Sequence, residues 1–223
     1  RFNRIVFEDE GARDRARSRL LKAAKRHGLV PVGFIEGQLR PKLPTGQLTL
    51  LFADIENSSQ LVAHLGDAYR AALSDTRRIE RTAVRRANGF EVDARADEFF
   101  AVFERAAEAL QAAIGIQRAF AAQAWPDEAS VKVRIGVHTG RPMLVDGGYQ
   151  GISVNTGSRL CSCGHGAQIL LSRATHAALV EVATVEFRHL GTYRLRGIPD
   201  EQEIYQVVAP GLLGVFPALR IER

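Results

Sequence analysis

The stretch "GFEVDARADEFFAVF" (residues 89–103) carries the strongest fold signal in this chain. It contains two short extended runs joined at a tight corner, with acids at Asp93, Asp97 and Glu98 and with Arg95 between them. β-Branched and aromatic residues on both sides of a short corner predict a β-hairpin. Either these acids are solvated hairpin residues or one of them is a metal ligand, and the surrounding residues decide between the two.

Length and composition restrict the class of protein. The 223 residues suffice for one globular domain of ordinary size and an appendage. No apolar run approaches the roughly 18 residues that span a bilayer, and the first residues lack the apolar centre of a secretory signal. Cys161 and Cys163 lie too close together to form a disulfide framework. The sequence therefore predicts a cytoplasmic protein that is not a membrane protein.

The net charge of +5 comes mainly from arginine, whose planar guanidinium suits carboxylates and phosphates. Basic residues cluster in two helical stretches, 11–28 and 77–86. Such clusters are usually solvated faces with i,i+4 ion pairs, and no DNA- or RNA-reading motif accompanies them. Nucleic acid is therefore not an expected partner of this domain.

The segments around the hairpin alternate between strand and helix patterns. The run 47–55 has β character, 58–89 has an apolar stripe at helical spacing, 106–124 repeats that spacing, and 131–140 alternates like a half-buried strand. The remaining elements are a helix near 153–163, a strand at 168–172, a helix at 173–180 and late strands near 184–191 and 202–208. The order βαββαβ followed by αββ predicts an α+β domain with a mostly antiparallel sheet and helices packed on one face.

Composition divides the chain into three regions. Residues 1–46 begin with a helical segment and end in a linker that contains two prolines and a glycine. Residues 47–208 hold the alternating elements and predict one compact domain. Residues 209–223 contain prolines and glycines at short intervals and show no periodicity, which is typical of a connector.

Two acids are candidate metal ligands. Asp54 ends an apolar strand just before a helix, so it either binds a divalent cation that also carries phosphate or caps that helix. If the strand 47–55 and the hairpin are neighbours in the sheet, Asp54 and Asp97 approach each other at its edge. Two adjacent carboxylates repel each other unless cations lie between them. Such a pair is typical of two-metal phosphoryl-transfer sites.

A second candidate group lies in the stretch "VNTGSRL". Asn155 and Arg159 are four residues apart and therefore share one helical face. An amide beside a guanidinium can bind ribose or phosphate oxygens and stabilise charge that develops at phosphorus. The alternative is an ordinary polar helix face.

Four blocks of this sequence resemble the class III nucleotidyl cyclases, which make cyclic nucleotides from nucleoside triphosphates. The blocks are "LTLLFADIENSS", "GFEVDARADEFFAVF", "VKVRIGVHTG" and "YQGISVNTGSRL…GAQILLS", in order and at spacings similar to those of the family. The resemblance covers about 47–208. The layout is most similar to bacterial cyclase domains that precede an ATPase and DNA-binding regulator, and "GLLGVFPALR" resembles the linker that follows the cyclase in those proteins.

The resemblance implies a ferredoxin-like βαββαβ core that works as a head-to-tail homodimer, with the active sites at the subunit interface. It implies that Asp54, Asp97 and the carbonyl of Ile55 bind two Mg²⁺ or Mn²⁺ ions per site. It assigns Asn155 to the ribose and Arg159 to the pentacoordinate phosphorus. In this arrangement one subunit supplies the metal acids and the other supplies the Asn/Arg helix.

The reaction that the resemblance implies is attack of the ribose 3′-hydroxyl on the α-phosphate, with pyrophosphate as the leaving group. ATP is the substrate expected for the family, and Arg196 falls near the position of a basic residue for the triphosphate. Two alternatives stay open. The domain is a degenerate cyclase that binds nucleotide or serves as a regulatory or dimerisation module, or its basic N-terminal helix controls dimer assembly.

Departures from the family pattern fall in the part that reads the base. Asp93 stands where ATP-using members have a lysine, and Gly148 stands where they have an acid or threonine. An ionised aspartate can only accept hydrogen bonds, so Asp93 suits a base edge that carries N–H donors. Ala96 replaces a glycine before Asp97, and Arg95 is placed to neutralise that acid. These departures predict weak activity or a base other than adenine.

Overall fold

The computed structural model describes residues 43–179 and 185–221, and within these ranges one seven-stranded sheet dominates the fold. The strands are β1 (Leu48–Ile55), β2 (Phe90–Arg95), β3 (Glu98–Phe103), β4 (Val133–Gly140), β5 (Met143–Val145), β6 (Gly148–Gln150), β7 (Ile169–Ser172), β8 (Glu186–Tyr193) and β9 (Gln202–Val208). The helices are α1 (Ser58–Leu65), α2 (Tyr69–Arg86), α3 (Ala106–Ala122), α4 (Ile152–Cys163) and α5 (Arg173–Ala178). Most of the predicted N-terminal helical segment and linker, 1–46, lies outside the described residues.

The strand order in the sheet is β2-β3-β1-β4-β7-β9-β8, and β5 and β6 form a separate hairpin. Strand β1 is antiparallel to both of its neighbours, β3 and β4. In the sheet only β4 and β7 are parallel, and α4 lies in the crossover between them. The predicted α+β fold with a mostly antiparallel sheet is therefore confirmed.

One face of the sheet is covered by the long helices α2 and α3, as predicted. Strand alternation directs Leu51, Ala53 and Ile55 of β1 to this side, where each is at most 2% exposed. They pack with Ile79 of α2 and Ile116 of α3 in the main apolar core. Full burial of one such leucine or isoleucine contributes about 1.5–3 kcal/mol, so this face holds β1 firmly in place.

Helix α4 packs against the opposite face of the sheet. Two glycines permit the close approach: a Cβ on Gly136 of β4 would lie 2.4 Å from the backbone nitrogen of Cys161, and a Cβ on Gly157 of α4 would lie 2.6 Å from the ring of Phe52. Neither position therefore has room for a side chain. This contact sets the distance between α4 and the strand that carries Asp54.

Two local features differ from the sequence pattern. The single helix predicted for 58–89 is divided into α1 and α2 by a 3₁₀ turn at Gly66–Ala68, because Gly66 adopts a positive φ of 50° that interrupts helical geometry. The hairpin of β5 and β6 was not predicted. Its strands are three residues long, too short for an alternation pattern to identify.

Candidate functional site

The acids Asp54 and Asp97 meet at one edge of the sheet. Asp54, the penultimate residue of β1, pairs with Glu98, the first residue of β3. The backbone nitrogen of Ile55 donates to the carbonyl of Asp97 at 3.4 Å. The prediction that β1 and the hairpin are neighbours is confirmed, and the charge of Asp97 acts on Asp54.

The corner between β2 and β3 has the backbone conformation that a glycine would adopt most easily. Ala96 has φ 45°, in the left-handed region. An alanine there costs about 1–2 kcal/mol relative to glycine. Asn57, after the end of β1, has φ 54°, which an asparagine tolerates better. Both loops that border the acids therefore have left-handed residues.

The expectation that Arg95 neutralises Asp97 is wrong. Its Nε lies 2.8 Å from Oδ2 of Asp93, and its side chain is 84% exposed. Residues 93 and 95 lie on the same side of β2, whereas the left-handed turn at Ala96 ends the extended pairing before Asp97. Asp93, the predicted base-reading residue, is thus half of an exposed ion pair.

Arg134 of β4 is the cation that does contact a candidate ligand, and sequence reasoning missed it. Its Nε and Nη2 donate to Oδ2 of Asp54 at 2.8 and 2.5 Å. The two residues are opposite each other in the register of β1 and β4. A third bond from Arg134 goes to the carbonyl of Ser162 in α4 at 3.0 Å. One guanidinium therefore connects that helix to the acidic edge, which is the end of the sheet where Asp54 and Asp97 lie.

Burial and neighbouring charges shift the pKa values of the groups around these acids. Burial raises the pKa of Asp54, the hydrogen bond and charge of Arg134 lower it, and the charge of Asp97 raises it, with a net upward shift. Burial and the charge of Asp97 also raise the pKa of Tyr69, at the start of α2. A divalent cation between the acids would relieve this accumulation of negative charge.

The donor atoms at this edge fit Mg²⁺ or Mn²⁺. Two carboxylates and the carbonyl of Ile55 are the hard oxygen ligands that these ions prefer. Within residues 43–179 and 185–221, no three His, Cys, Asp or Glu side chains come together as a metal cluster. Water or substrate phosphate would therefore have to complete the coordination, as is usual for Mg²⁺.

Helix α4 presents the second predicted pair. Asn155 and Arg159 are both exposed on the side turned away from the sheet, while Thr156 and Leu160 are buried. The helix begins after Gly151, whose φ is 111°. The exposure of Asn155 and Arg159 leaves their polar groups accessible to a ligand or to another chain.

A basic cavity of about 270 Å³ adjoins α4. Four arginines line it: Arg134, Arg159, Arg196 and Arg220. The structure thus brings together two arginines predicted from the sequence and two that were not. Arg220 lies in the segment 209–221, and it also contacts Glu56, next to the acidic edge, at 2.6 Å. Guanidinium groups gathered in one cavity favour an anion with several charged oxygens.

The remaining predicted residue, Gly148, begins β6. Strand β6 contacts β2, the strand that carries Asp93.

The hairpin of β5 and β6 and the start of α4 expose apolar side chains: Met143, Leu144, Val145 and Ile152 are 61%, 36%, 37% and 50% exposed. An exposed apolar group of this kind is typical of a protein contact surface.

Comparison with known proteins identifies the family. A sequence model described as the adenylate and guanylate cyclase catalytic domain matches residues 41–209. This match covers most of the chain, and the sheet, the acidic edge and the arginine-lined cavity are consistent with it. The chain belongs to the adenylate and guanylate cyclase catalytic domain family.

Individual relatives agree with this assignment. An uncharacterized protein of Mycobacterium tuberculosis is 33% identical over 190 residues, which cover 79% of this chain and 61% of the relative. A receptor-type adenylate cyclase of Trypanosoma brucei brucei is 29% identical over 231 residues, covering 82% of this chain and 18% of the relative. The solved structure of an adenylate cyclase from Trypanosoma brucei in its monomeric state has a TM-score of 0.74 and 27% identity, covering 82% of this chain and 98% of that one.

Across the part of the chain that the structure describes, no helix is both long enough and apolar enough to cross a membrane.

Proposed function

We propose that this domain converts a nucleoside triphosphate to a 3′,5′-cyclic nucleotide and pyrophosphate. The observation that carries the proposal is that this chain holds both groups a two-subunit site needs: Asp54 with Asp97 close enough for its charge to act, and a cavity lined by arginines that includes Arg159. Acids that hold metal ions, next to guanidinium groups that bind phosphate, are the requirements of phosphoryl transfer. The family of the chain supports the same reaction.

The metal ligands in this proposal are Asp54, Asp97 and the carbonyl of Ile55. When bound there, a pair of Mg²⁺ or Mn²⁺ ions would lower the pKa of the ribose 3′-hydroxyl and neutralise phosphate charge. Asn155 orients the ribose through its amide, and Arg159 stabilises the charge that develops on the α-phosphate. Arg196 binds the terminal phosphates, which agrees with its position in the same cavity as Arg159.

The active form in this proposal is a head-to-tail homodimer. Asn155 and Arg159 point away from the sheet of their own chain, so they are available to a site completed by a second copy. The exposed apolar residues of β5 and of the start of α4 supply a contact surface, and the end of the Met143 side chain lies near Gly151, where this helix begins. One subunit then contributes the acids and its partner contributes the Asn/Arg helix.

Base selection in this proposal differs from that of ATP-using relatives. Asp93 accepts hydrogen bonds and cannot donate one to N1 of adenine, and Gly148 has no side chain to contact the base. Arg95 competes for the carboxylate of Asp93 at 2.8 Å. We therefore expect weak discrimination in favour of ATP, and a preference for a base edge that carries N–H donors.

One observation favours a second function, a degenerate cyclase domain that binds nucleotide or a partner without turnover. Oδ2 of Asp54 is already engaged by two nitrogens of Arg134. A metal ion would have to compete with this guanidinium for the carboxylate. If it cannot, the arginine-lined cavity still binds polyphosphate and the domain acts as a nucleotide-responsive or dimerisation module.

A product assay separates the two functions. The dimeric protein is incubated with Mn²⁺ or Mg²⁺ and each of ATP, GTP, CTP and UTP, and cyclic products are measured by mass spectrometry. We expect product from at least one triphosphate, a fall to below about 1% of that rate in Asp97→Ala, and a shift towards ATP in Asp93→Lys. The exposed acid Asp200, changed to Ala, is the matched control. The absence of any cyclic product from a dimeric sample would contradict the cyclase function.

A further inference from the structure

A buried ion pair on α2 has no role in the site described so far. Arg77 is 9% exposed and Glu80 is fully buried, and Nη1 of Arg77 lies 3.2 Å from Oε2 of Glu80. The other carboxylate oxygen of Glu80, Oε1, has no hydrogen-bond partner in the described part of the chain. A buried pair of this kind is often no more stabilising than apolar residues of the same volume. Stability alone is therefore a weak reason for its presence.

The second contact of Arg77 connects it to the acidic edge. Its Nη2 donates to the carbonyl of Ala96 at 2.6 Å, and its guanidinium lies 5.8 Å from the ring centroid of Phe99. Ala96 is the left-handed residue of the β2–β3 corner and directly precedes Asp97. The bond thus reaches from a helix on one face of the sheet to the peptide group that bears the candidate metal ligand.

The corner is strained and needs support from outside the hairpin. The left-handed alanine is strained because its Cβ crowds the backbone, and the bond from the nitrogen of Ile55 to the carbonyl of Asp97 is long, at 3.4 Å. A charge-assisted bond from a buried guanidinium is stronger than a neutral hydrogen bond and can offset such strain. A small rotation of the 96–97 peptide would redirect the carboxylate of Asp97.

We propose that Arg77 is a positioning residue for the metal-binding corner: it binds the Ala96 carbonyl and thereby fixes the direction of the Asp97 carboxylate, while Glu80 holds the guanidinium in place. The inference rests on the proposed function, because it takes Asp97 as a metal ligand. The planar guanidinium of arginine donates to the Ala96 carbonyl and to Glu80 at the same time, through two different nitrogens. The ammonium of a lysine, on one flexible chain, does not hold both acceptors in this geometry.

Metal binding measures this role without turnover. Free Mn²⁺ is quantified by electron paramagnetic resonance while it is titrated into the protein, with and without a non-cyclisable nucleoside triphosphate analogue. In Arg77→Lys the Mn²⁺ concentration for half-saturation is expected to rise about 3- to 10-fold, and in Arg77→Met by more than about 10-fold, because one or both charge-assisted bonds are lost. Glu80→Gln, which keeps an acceptor oxygen, is expected to change it less than Arg77→Met does.

The matched control is Arg78→Lys. Arg78 is the next residue of α2, its side chain is 60% exposed, and its ion pair is with Asp75 on the surface. This variant is expected to bind Mn²⁺ as the parent does. Thermal unfolding identifies variants that do not fold, and if Arg77→Met is one of these, Arg77→Lys decides. In the product assay, saturating Mn²⁺ is expected to restore the rate of Arg77→Lys, as a loss of metal affinity predicts.

The outcomes separate this inference from the proposed function. If the parent binds Mn²⁺ and loses it in Asp97→Ala, but folded Arg77→Lys and Arg77→Met bind as the parent does, the positioning role is overturned and the proposed function stands. If Mn²⁺ binding to the parent does not depend on Asp97, both are overturned. Equal weakening in Arg78→Lys also contradicts the positioning role, because it would reflect only the general charge of α2.

Discussion

The carboxylates of Asp54 and Glu80 illustrate how burial and neighbouring charges compete at the residue scale. Both acids have a raised pKa for which burial is the largest cause, and in both a hydrogen-bonded arginine opposes the shift. Arg134 binds Oδ2 of Asp54 and leaves Oδ1 outside the ion pair. Glu80 is deeper, its Oε1 has no hydrogen-bond partner within residues 43–179 and 185–221, and its pKa is raised to about 8. Burial thus outweighs the contact with Arg77 in shifting the pKa of Glu80, while Arg77 keeps its charge for the Ala96 carbonyl.

Glu80 is expected to make the stability of the domain depend on pH. Its pKa rises from 4.5 to about 8 on folding, so the folded state binds a proton that the unfolded state releases between these values. Its contribution to stability is complete below the unfolded pKa and is lost as pH rises through the folded pKa. Between pH 5.5 and pH 8 the free energy of unfolding of the parent is expected to fall by about 3 kcal/mol more than that of Glu80→Gln.

Urea unfolding of both proteins across this pH range measures the difference. Glu186→Gln is the matched control, because the side chain of Glu186 is 63% exposed in its ion pair with Arg188. It should follow the parent at every pH. Parallel curves for the parent and Glu80→Gln would mean that Glu80 titrates normally in the folded domain.

At the scale of elements, the position of α4 depends on its contact with the sheet. The helix carries Asn155 and Arg159 and lies against β4 and β1 where Gly136 and Gly157 permit it. Arg134 adds a polar connection from β4 to the end of the helix. The separation between the Asn/Arg face and the acidic edge is therefore set by backbone contact, which leaves little freedom for adjustment.

Gly136→Ala is expected to destabilise the domain and to displace α4. The added Cβ would lie 2.4 Å from the nitrogen of Cys161, so the helix must move, at a cost of about 1–3 kcal/mol. Gly115→Ala in α3 is the control, because its Cβ would meet only Ala83 at 3.8 Å. That change is expected to be neutral or to stabilise by about 1 kcal/mol, since alanine is the better helix former.

Chemical unfolding compares the two alanine variants, and the product assay then compares their rates. Gly136→Ala should lose more activity than Gly115→Ala because Arg159 moves with the helix. If both variants unfold at the same denaturant concentration, α4 is not held by this backbone contact.

At the scale of the whole domain, the segment 209–221 packs against the folded core although it contains no helix or strand. Leu219 and Ile221 join the apolar cluster beneath α4, and the backbone nitrogen of Arg220 donates to the carbonyl of Cys163 at 2.9 Å. The side chain of Arg220 reaches Glu56, next to the acidic edge. The prediction that 209–223 is a connector stays a prediction, but this segment contacts both parts of the proposed site.

A chain that ends at residue 215 is expected to be less stable by about 2 kcal/mol, because it exposes the apolar surface that Leu219 and Ile221 cover. Differential scanning calorimetry measures the shift in unfolding temperature. Arg220→Ala in the full chain should lose only part of this stability, since its guanidinium is partly exposed to solvent, which weakens the ion pair with Glu56. An unchanged unfolding temperature in the shortened chain would mean that the segment contributes nothing to the fold.

Much of the fold could be predicted because its signals are local. The apolar run of β1, the alternation in β4, the helical stripe of α3 and the corner before Asp97 are each contained in at most about 20 consecutive residues, the range over which local patterns are informative. The hairpin of β5 and β6 and the division of α1 from α2 were missed because three-residue strands and a single left-handed glycine leave too little pattern.

The sequence by itself determined the α+β class and the order of the main strands and helices, whereas the position of Asp54 relative to Asp97 required the pairing of β1 with β3. Only the tertiary structure decided which arginines bind these acids or the corner beside them. Arg134 pairs with Asp54 across 80 positions of sequence, and Arg77 reaches Ala96 across 19. Arg95, the nearest cation in sequence, turns to Asp93 instead. Strand register and helix rotation set these contacts, and both depend on the packed core and not on any local pattern.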